Sequence, residues 1–204
     1  MDNDKKFFAE IVASSLANYT AQCWQWDNLP SFGSLVLVET NEQINFGVVT
    51  QIQTGSLDAS RYPFAYQKTE EALKVEQPQI FELLKTTFQV QLIGFLDRTE
   101  SPQILYYQLP IKPCKIHSFV AFASDRLTLD FYSRPDFLYI LFGFEQEIPN
   151  LDELLLTILK QLSKHKILTP EYIDKFYETL SLLTGNDYKR LKLFLRRAQY
   201  LLNI

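Results

Sequence analysis

The chain has 204 residues, of which 47% are apolar, 14% aromatic and 22% charged, and it carries a net charge of −4. The apolar share excludes a disordered chain, and the acidic balance argues against nucleic-acid binding over the whole surface. Six glycines and two histidines are a poor supply for phosphate loops or histidine catalysis.

The charge changes sign near Pro149. Residues 1–150 hold 11 Lys and Arg against 18 Asp and Glu, a balance of −7. Residues 151–204 hold 9 against 6, a balance of +3. Two units are therefore expected, 1–148 and 149–204. The amino-terminal stretch is acidic first and lacks an apolar run of signal-peptide length. The longest uncharged aromatic–aliphatic run, Phe137 to Phe144, falls far short of the roughly 20 residues of a spanning helix. Cys23 and Cys114 are the only cysteines, which suits a reducing interior. Together these features predict a cytoplasmic protein without a membrane span.

Ile11 to Thr20 is a weak strand signal. Trp24 and Trp26 alternate around Gln25, so an extended 22–28 would turn both rings to one face, as core material or as binding anchors. Ser34 to Thr40 and Ile44 to Ile52 are rich in β-branched residues and flank Asn41-Glu42-Gln43, which predicts a hairpin. Gly33 precedes it, where a turn needs a permissive backbone. Gly47 lies inside the second strand, where a glycine marks a bulge, a bend or a close approach. Short bending strands suit a small closed barrel.

Gln53 to Tyr66 reads as a loop. Thr69-Glu70-Glu71 opens a short helix, and Pro78 breaks it. Gln79 to Phe88 then reads as a second helix, with Ile80, Leu83, Leu84 and Phe88 on one face. Strands return at 89–96 and 103–109, and 116–123 is another candidate. Arg134-Pro135-Asp136 starts a helix that ends near Gly143. The tail reads as three helices: Leu151 to Lys166, Pro170 to Thr184 behind a Thr169 cap, and Tyr188 to Leu202. Short connections imply antiparallel neighbours and a helical bundle. The fold class is α+β, a small β-barrel with inserted helices followed by that bundle.

No residue set specifies a reaction. A phosphate loop of the pattern Gly-x-x-x-x-Gly-Lys-Ser/Thr is missing, which excludes the common nucleotide hydrolases. Cys114-x-x-His117 has metal-ligand spacing but lacks the other ligands of a structural zinc, and it reads as an apolar filler beside a capped histidine. Glu70-Glu71 and Asp152-Glu153 suit the positive ends of helices better than acid–base work. Neither a catalytic residue, a cofactor nor a metal is expected. The last helix is the most suggestive element. Lys189, Arg190, Lys192, Arg196 and Arg197 form a basic face, and Leu191, Phe194, Leu195, Ala198 and Leu202 form the opposite apolar stripe. Such a face is a solvated surface or a dock for an acidic protein surface or a phosphate backbone.

One resemblance joins these segments. Phe32-Gly-Ser-Leu-Val-Leu-Val38, Phe46-Gly-Val-Val49 and Thr54-Gly-Ser-Leu-Asp58 stand in order before Lys68-Thr-Glu-Glu71 and Glu76-Gln-Pro-Gln-Ile-Phe-Glu-Leu-Leu84. Leu92-Ile-Gly-Phe95 and Ile116-His-Ser-Phe119 follow. Over roughly residues 8–145 the series resembles the HAS-barrel, the amino-terminal barrel of HerA-type ATPases found also in ATP synthase subunits. The resemblance marks Gly33, Gly47, Gly55, Gln77 and Pro78 as barrel motif positions. The motor that follows the barrel in that family has no counterpart here, so hydrolysis and translocation do not carry over. The barrel's assembly and partner-docking role does. The expected function is a non-enzymatic protein-interaction module that binds a protein partner or a second copy of itself. The alternative is an accessory of DNA processing that binds a nuclease partner, or DNA through the basic last helix.

Overall fold

The computed structural model describes residues 7–58, 64–99, 101–185 and 187–202. Strands β1 (Phe7–Ser14), β2 (Asn18–Cys23), β3 (Leu35–Glu39), β4 (Gln43–Ser56), β5 (Leu84–Asp97), β6 (Ile104–Tyr106) and β7 (Phe119–Phe122) form one antiparallel sheet. Its order is β2-β1-β7-β3-β4-β5-β6, and β2 also pairs with β5. That last pairing closes six strands into a barrel and leaves β6 as an appendage on β5.

Strand alternation sorts the apolar residues into two cores. Phe8, Tyr19, Val36, Val38, Val49, Phe88, Val90, Leu92 and Val120 form the buried cluster of the barrel interior. Leu35, Leu37, Ile44, Phe46 and Val48 face outward and join a second cluster with the helices. The run Leu35-Val-Leu-Val38 is thus buried on both faces, which is why it shows no apolar–polar alternation.

The helices among the described residues are α1 (Glu70–Glu76), α2 (Gln79–Glu82), α3 (Asp125–Phe131), α4 (Phe137–Gly143), α5 (Leu151–Lys164), α6 (Pro170–Thr184) and α7 (Tyr188–Leu202). None is long and apolar enough to cross a membrane. Phe131, Leu138, Leu141, Leu154, Leu155, Leu159, Phe176 and Phe194 all lie in the second core. Caps mark the helix starts: Thr69, Ser124, Asn150 and Thr169 each accept a backbone N–H from three residues on. A cap of this kind contributes about 1 kcal/mol.

The sequence expectations hold for the α+β class, the barrel, the β3–β4 hairpin and the helices at 151–164, 170–184 and 188–202. Four details differ. The weak signal at 11–20 is a hairpin, β1 turning into β2 at Ser15. β4 runs to Ser56, into the predicted loop, whose residues 59–63 lie outside the described residues. The helix expected over Gln79 to Phe88 ends at Glu82, because Leu84 to Thr87 pair with Gln53 to Ser56 of β4 and Thr87 and Phe88 also pair with β2. Inter-strand pairing outweighs an apolar pattern that fits a helix only over a short window. Helix α3, which the aromatic zone concealed, is the fourth.

The glycines have distinct reasons. Gly33 has φ +76°, and a Cβ there would sit 2.9 Å from the Thr157 methyl. A Cβ on Gly47 would lie 2.3 Å from Val90 Cγ1 and 3.0 Å from the Gln91 carbonyl oxygen, beside a shift in the β4–β5 register. Gly55 lies in β4 with open space around it. Gln77 ends α1 with its backbone N–H on the Leu73 carbonyl, and Pro78 precedes the first residue of α2 without a side-chain capping bond.

Candidate docking surface

The basic residues of the tail divide into two groups. Helix α7 buries Phe194 and Ala198 and lays partly buried Leu191 and Leu195 on the same core. That stripe fixes the rotation of the helix. The side chain of Leu202, expected in the same stripe, lies outside the described residues. Arg190 is turned toward α5. Its Nε and Nη2 donate to Asp152 at 3.0 and 2.7 Å, and its Nη1 donates to Glu145. The guanidinium also lies 5.6 Å over the Phe142 ring. Hydrogen bonding to Asp152 holds its pKa above the ordinary arginine value. Arg197 donates to Glu153 at 2.5 Å.

Lys189, Lys192 and Arg196 form the second group. They point to solvent, and none has an ion-pair partner among the described residues. Spaced at 189, 192 and 196, they lie along one side of α7. Leu193 is 54% exposed among them, and Tyr188 and Tyr200 are exposed at the two ends of the helix. The charge contrast along the chain is therefore partly spent internally. Asp152 and Glu153, which the sequence assigned to the helix dipole, also hold the tail in place.

The two tryptophans separate. Residues 22–28 are not extended, since β2 ends at Cys23 and the Asn28 N–H bonds to the Gln25 carbonyl. Trp24 is 52% exposed and meets Phe119 edge-on at 5.2 Å. Trp26 stacks on Phe81 of α2 at 5.8 Å. Cys114 and His117 separate too. Cys114 is buried in the barrel core, whereas His117 is exposed with Nδ1 2.5 Å from Glu10. Burial pushes the Cys23 and Cys114 thiols up to about 11, away from the thiolate form that attacks or ligates. Among the described residues no three His, Cys, Asp or Glu side chains group as metal ligands.

A cleft of about 1440 Å³ opens between the outer sheet face and α3. Ile44, Leu96 and Leu105 stand side by side on its floor. Leu127 and Phe131 form the helix wall, and Arg98 on the rim donates to Glu39 at 2.8 Å. Sequence reasoning missed this cleft with α3. The available signal was the cap at Ser124, followed three residues later by the first apolar residue. No protein-family model matches the chain, and no curated protein matches it.

Proposed function

We propose that the chain is a non-enzymatic interaction or assembly module built on a HAS-like barrel. Residues 149–204 form a helical bundle that serves as its docking unit, and an acidic protein surface is the partner. The observation that carries this reading is the outward face of α7, where Lys189, Lys192 and Arg196 have no ionic partner among the described residues and surround exposed Leu193. Cations beside apolar contact area suit an acidic surface with an apolar centre. The order of the barrel motifs supports the same reading, because the barrel they resemble is an assembly and partner-docking module.

The test is capture of binding proteins from native lysate by the wild type and by the triple variant Lys189→Glu, Lys192→Glu, Arg196→Glu. Arg190 and Arg197 are left in place, since both are already ion-paired, to Asp152 and Glu145 and to Glu153. The variant is expected to keep its melting temperature and to lose the captured proteins. Capture of the same proteins by the variant would remove α7 as the docking surface. The same cations would also suit a phosphate backbone. Duplex or single-stranded DNA binding that weakens steeply with salt and vanishes in the triple variant would favour the DNA-processing alternative.

A further inference from the structure

Helices α1 and α2 stand apart from both cores. Neither holds a buried residue. They are carried on a ribbon of β4 and β5 whose outer rungs are Thr54–Thr86, Gly55–Lys85 and Ser56–Leu84. These rungs pair with no third strand among the described residues. Trp26, in the loop after β2, stacks on Phe81 at 5.8 Å and ties the arm to the barrel. The seven residues of α1 fall short of the roughly 12 at which an isolated helix holds in water. Local contacts sustain it instead: the Thr69 cap and the pairs Lys68–Glu76 and Lys74–Glu70.

Those two pairs occupy both lysines of residues 68–83. Glu71 and Glu82 have no ion pair among the described residues. Val75, one turn after Glu71, is 84% exposed, and Leu83, next to Glu82, is 41% exposed. The arm thus presents carboxylates beside apolar side chains. Helix α7 presents the reverse. Lys189, Lys192 and Arg196 stand around exposed Leu193. The ion pairs of α7 run from Arg190 and Arg197 to Glu145, Asp152 and Glu153, and none among the described residues runs to the arm. The two surfaces match in charge and in apolar content, and every copy of the chain carries both.

We propose that α7 of one copy docks on the α1–α2 arm of a second copy. The proposal rests on the docking role of α7 and names its acidic partner as this chain itself. The contact joins unlike surfaces, so two copies exchange it about a two-fold axis or pass it head to tail.

The test is sedimentation equilibrium of the full chain from about 5 to about 200 μM, a range that reads a Kd on the order of 10 μM. The mass is expected to rise above that of one chain with concentration. Association should weaken about tenfold between roughly 0.05 and 0.5 M salt, because exposed charges are screened. The α7 variant Lys189→Glu, Lys192→Glu, Arg196→Glu and the arm variant Val75→Lys, Glu82→Lys should each stay monomeric. Glu71 is left in place because it also bonds the first turn of its own helix. An equimolar mixture of the two variants should associate again, since the unaltered arm of the first meets the unaltered α7 of the second. That recovery separates a lost contact from a lost fold. A single-chain mass at every concentration, association that survives either variant, or a mixture that stays monomeric would each overturn the proposal. A single-chain mass with α7-dependent capture from lysate overturns this inference alone. A single-chain mass with capture that ignores α7 overturns the docking role as well.

Discussion

Gly47 and Arg190 show how differently single residues report themselves. A glycine inside a β-branched run already signals a bulge or a close approach, and the 2.3 Å and 3.0 Å contacts that a Cβ would make supply the cause. Gly47→Ala is expected to cost about 1–3 kcal/mol through overpacking, read as a lower urea midpoint with an unchanged slope. Trimming Val90 should recover only part of that loss, because the Gln91 carbonyl is backbone and cannot move aside. Arg190 gives no such signal, since nothing in the sequence separates it from Arg196 less than two turns away. The structure does. Arg190→Met should destabilise by ~1 kcal/mol or more through loss of the paired contact to Asp152, and Arg196→Met by less than about 0.5 kcal/mol. Equal melting temperatures for the two variants would contradict this division. The buried thiols carry a pH prediction. Cys23 and Cys114 ionise near 9 in an unfolded chain and are pushed up to about 11 in the fold. Folding then holds protons that the unfolded chain releases. Stability is complete below pH 9 and falls as the pH rises toward 11. The double Cys→Ala variant should flatten that fall in urea midpoints measured across the range.

At the scale of elements, helix ends were legible and strand lengths were not. Thr69 and Thr169 announce their helices because capping is local chemistry, decided within four residues. Thr169→Ala is expected to cost about 1 kcal/mol by freeing the Tyr172 N–H, now 3.2 Å from the hydroxyl; a stability equal to wild type in urea would show the cap to be idle. The first-turn acids give an acid-limb prediction as well. The backbone N–H groups and capping threonines hold Glu71 and Glu171 below the ordinary carboxylate range. Their contribution is present above the unfolded value near 4.5 and is lost as the pH falls through the folded values. Strand β5 misled because Leu84 to Phe88 meets a helical pattern by chance. Its partners, Gln53 to Ser56 and Ala21 to Gln22, are distant in sequence, and no local rule weighs them.

For the whole molecule, the apolar core ignores the change of charge at Pro149. Leu151, Leu154, Leu155 and Leu159 of α5 share one buried cluster with Leu35, Leu37, Phe46 and Phe137. A chain cut at residue 148 would expose that face to water. It is expected to melt lower than the full chain and to bind a hydrophobic dye, and a cooperative, dye-free transition at the full chain's temperature would show an independent barrel. The sequence by itself determined the α+β class, the barrel-like hairpin, three tail helices with a cap at Thr169, and a basic last helix, because periodicity, caps and charge are local properties. Tertiary structure decided the rest. Closure of the barrel needs β2 to find β5, and the split of the basic residues needs α7 to settle against α5. Each of these joins residues far apart in the chain, so the physical cause lies in pairing and packing that only the folded backbone brings into range.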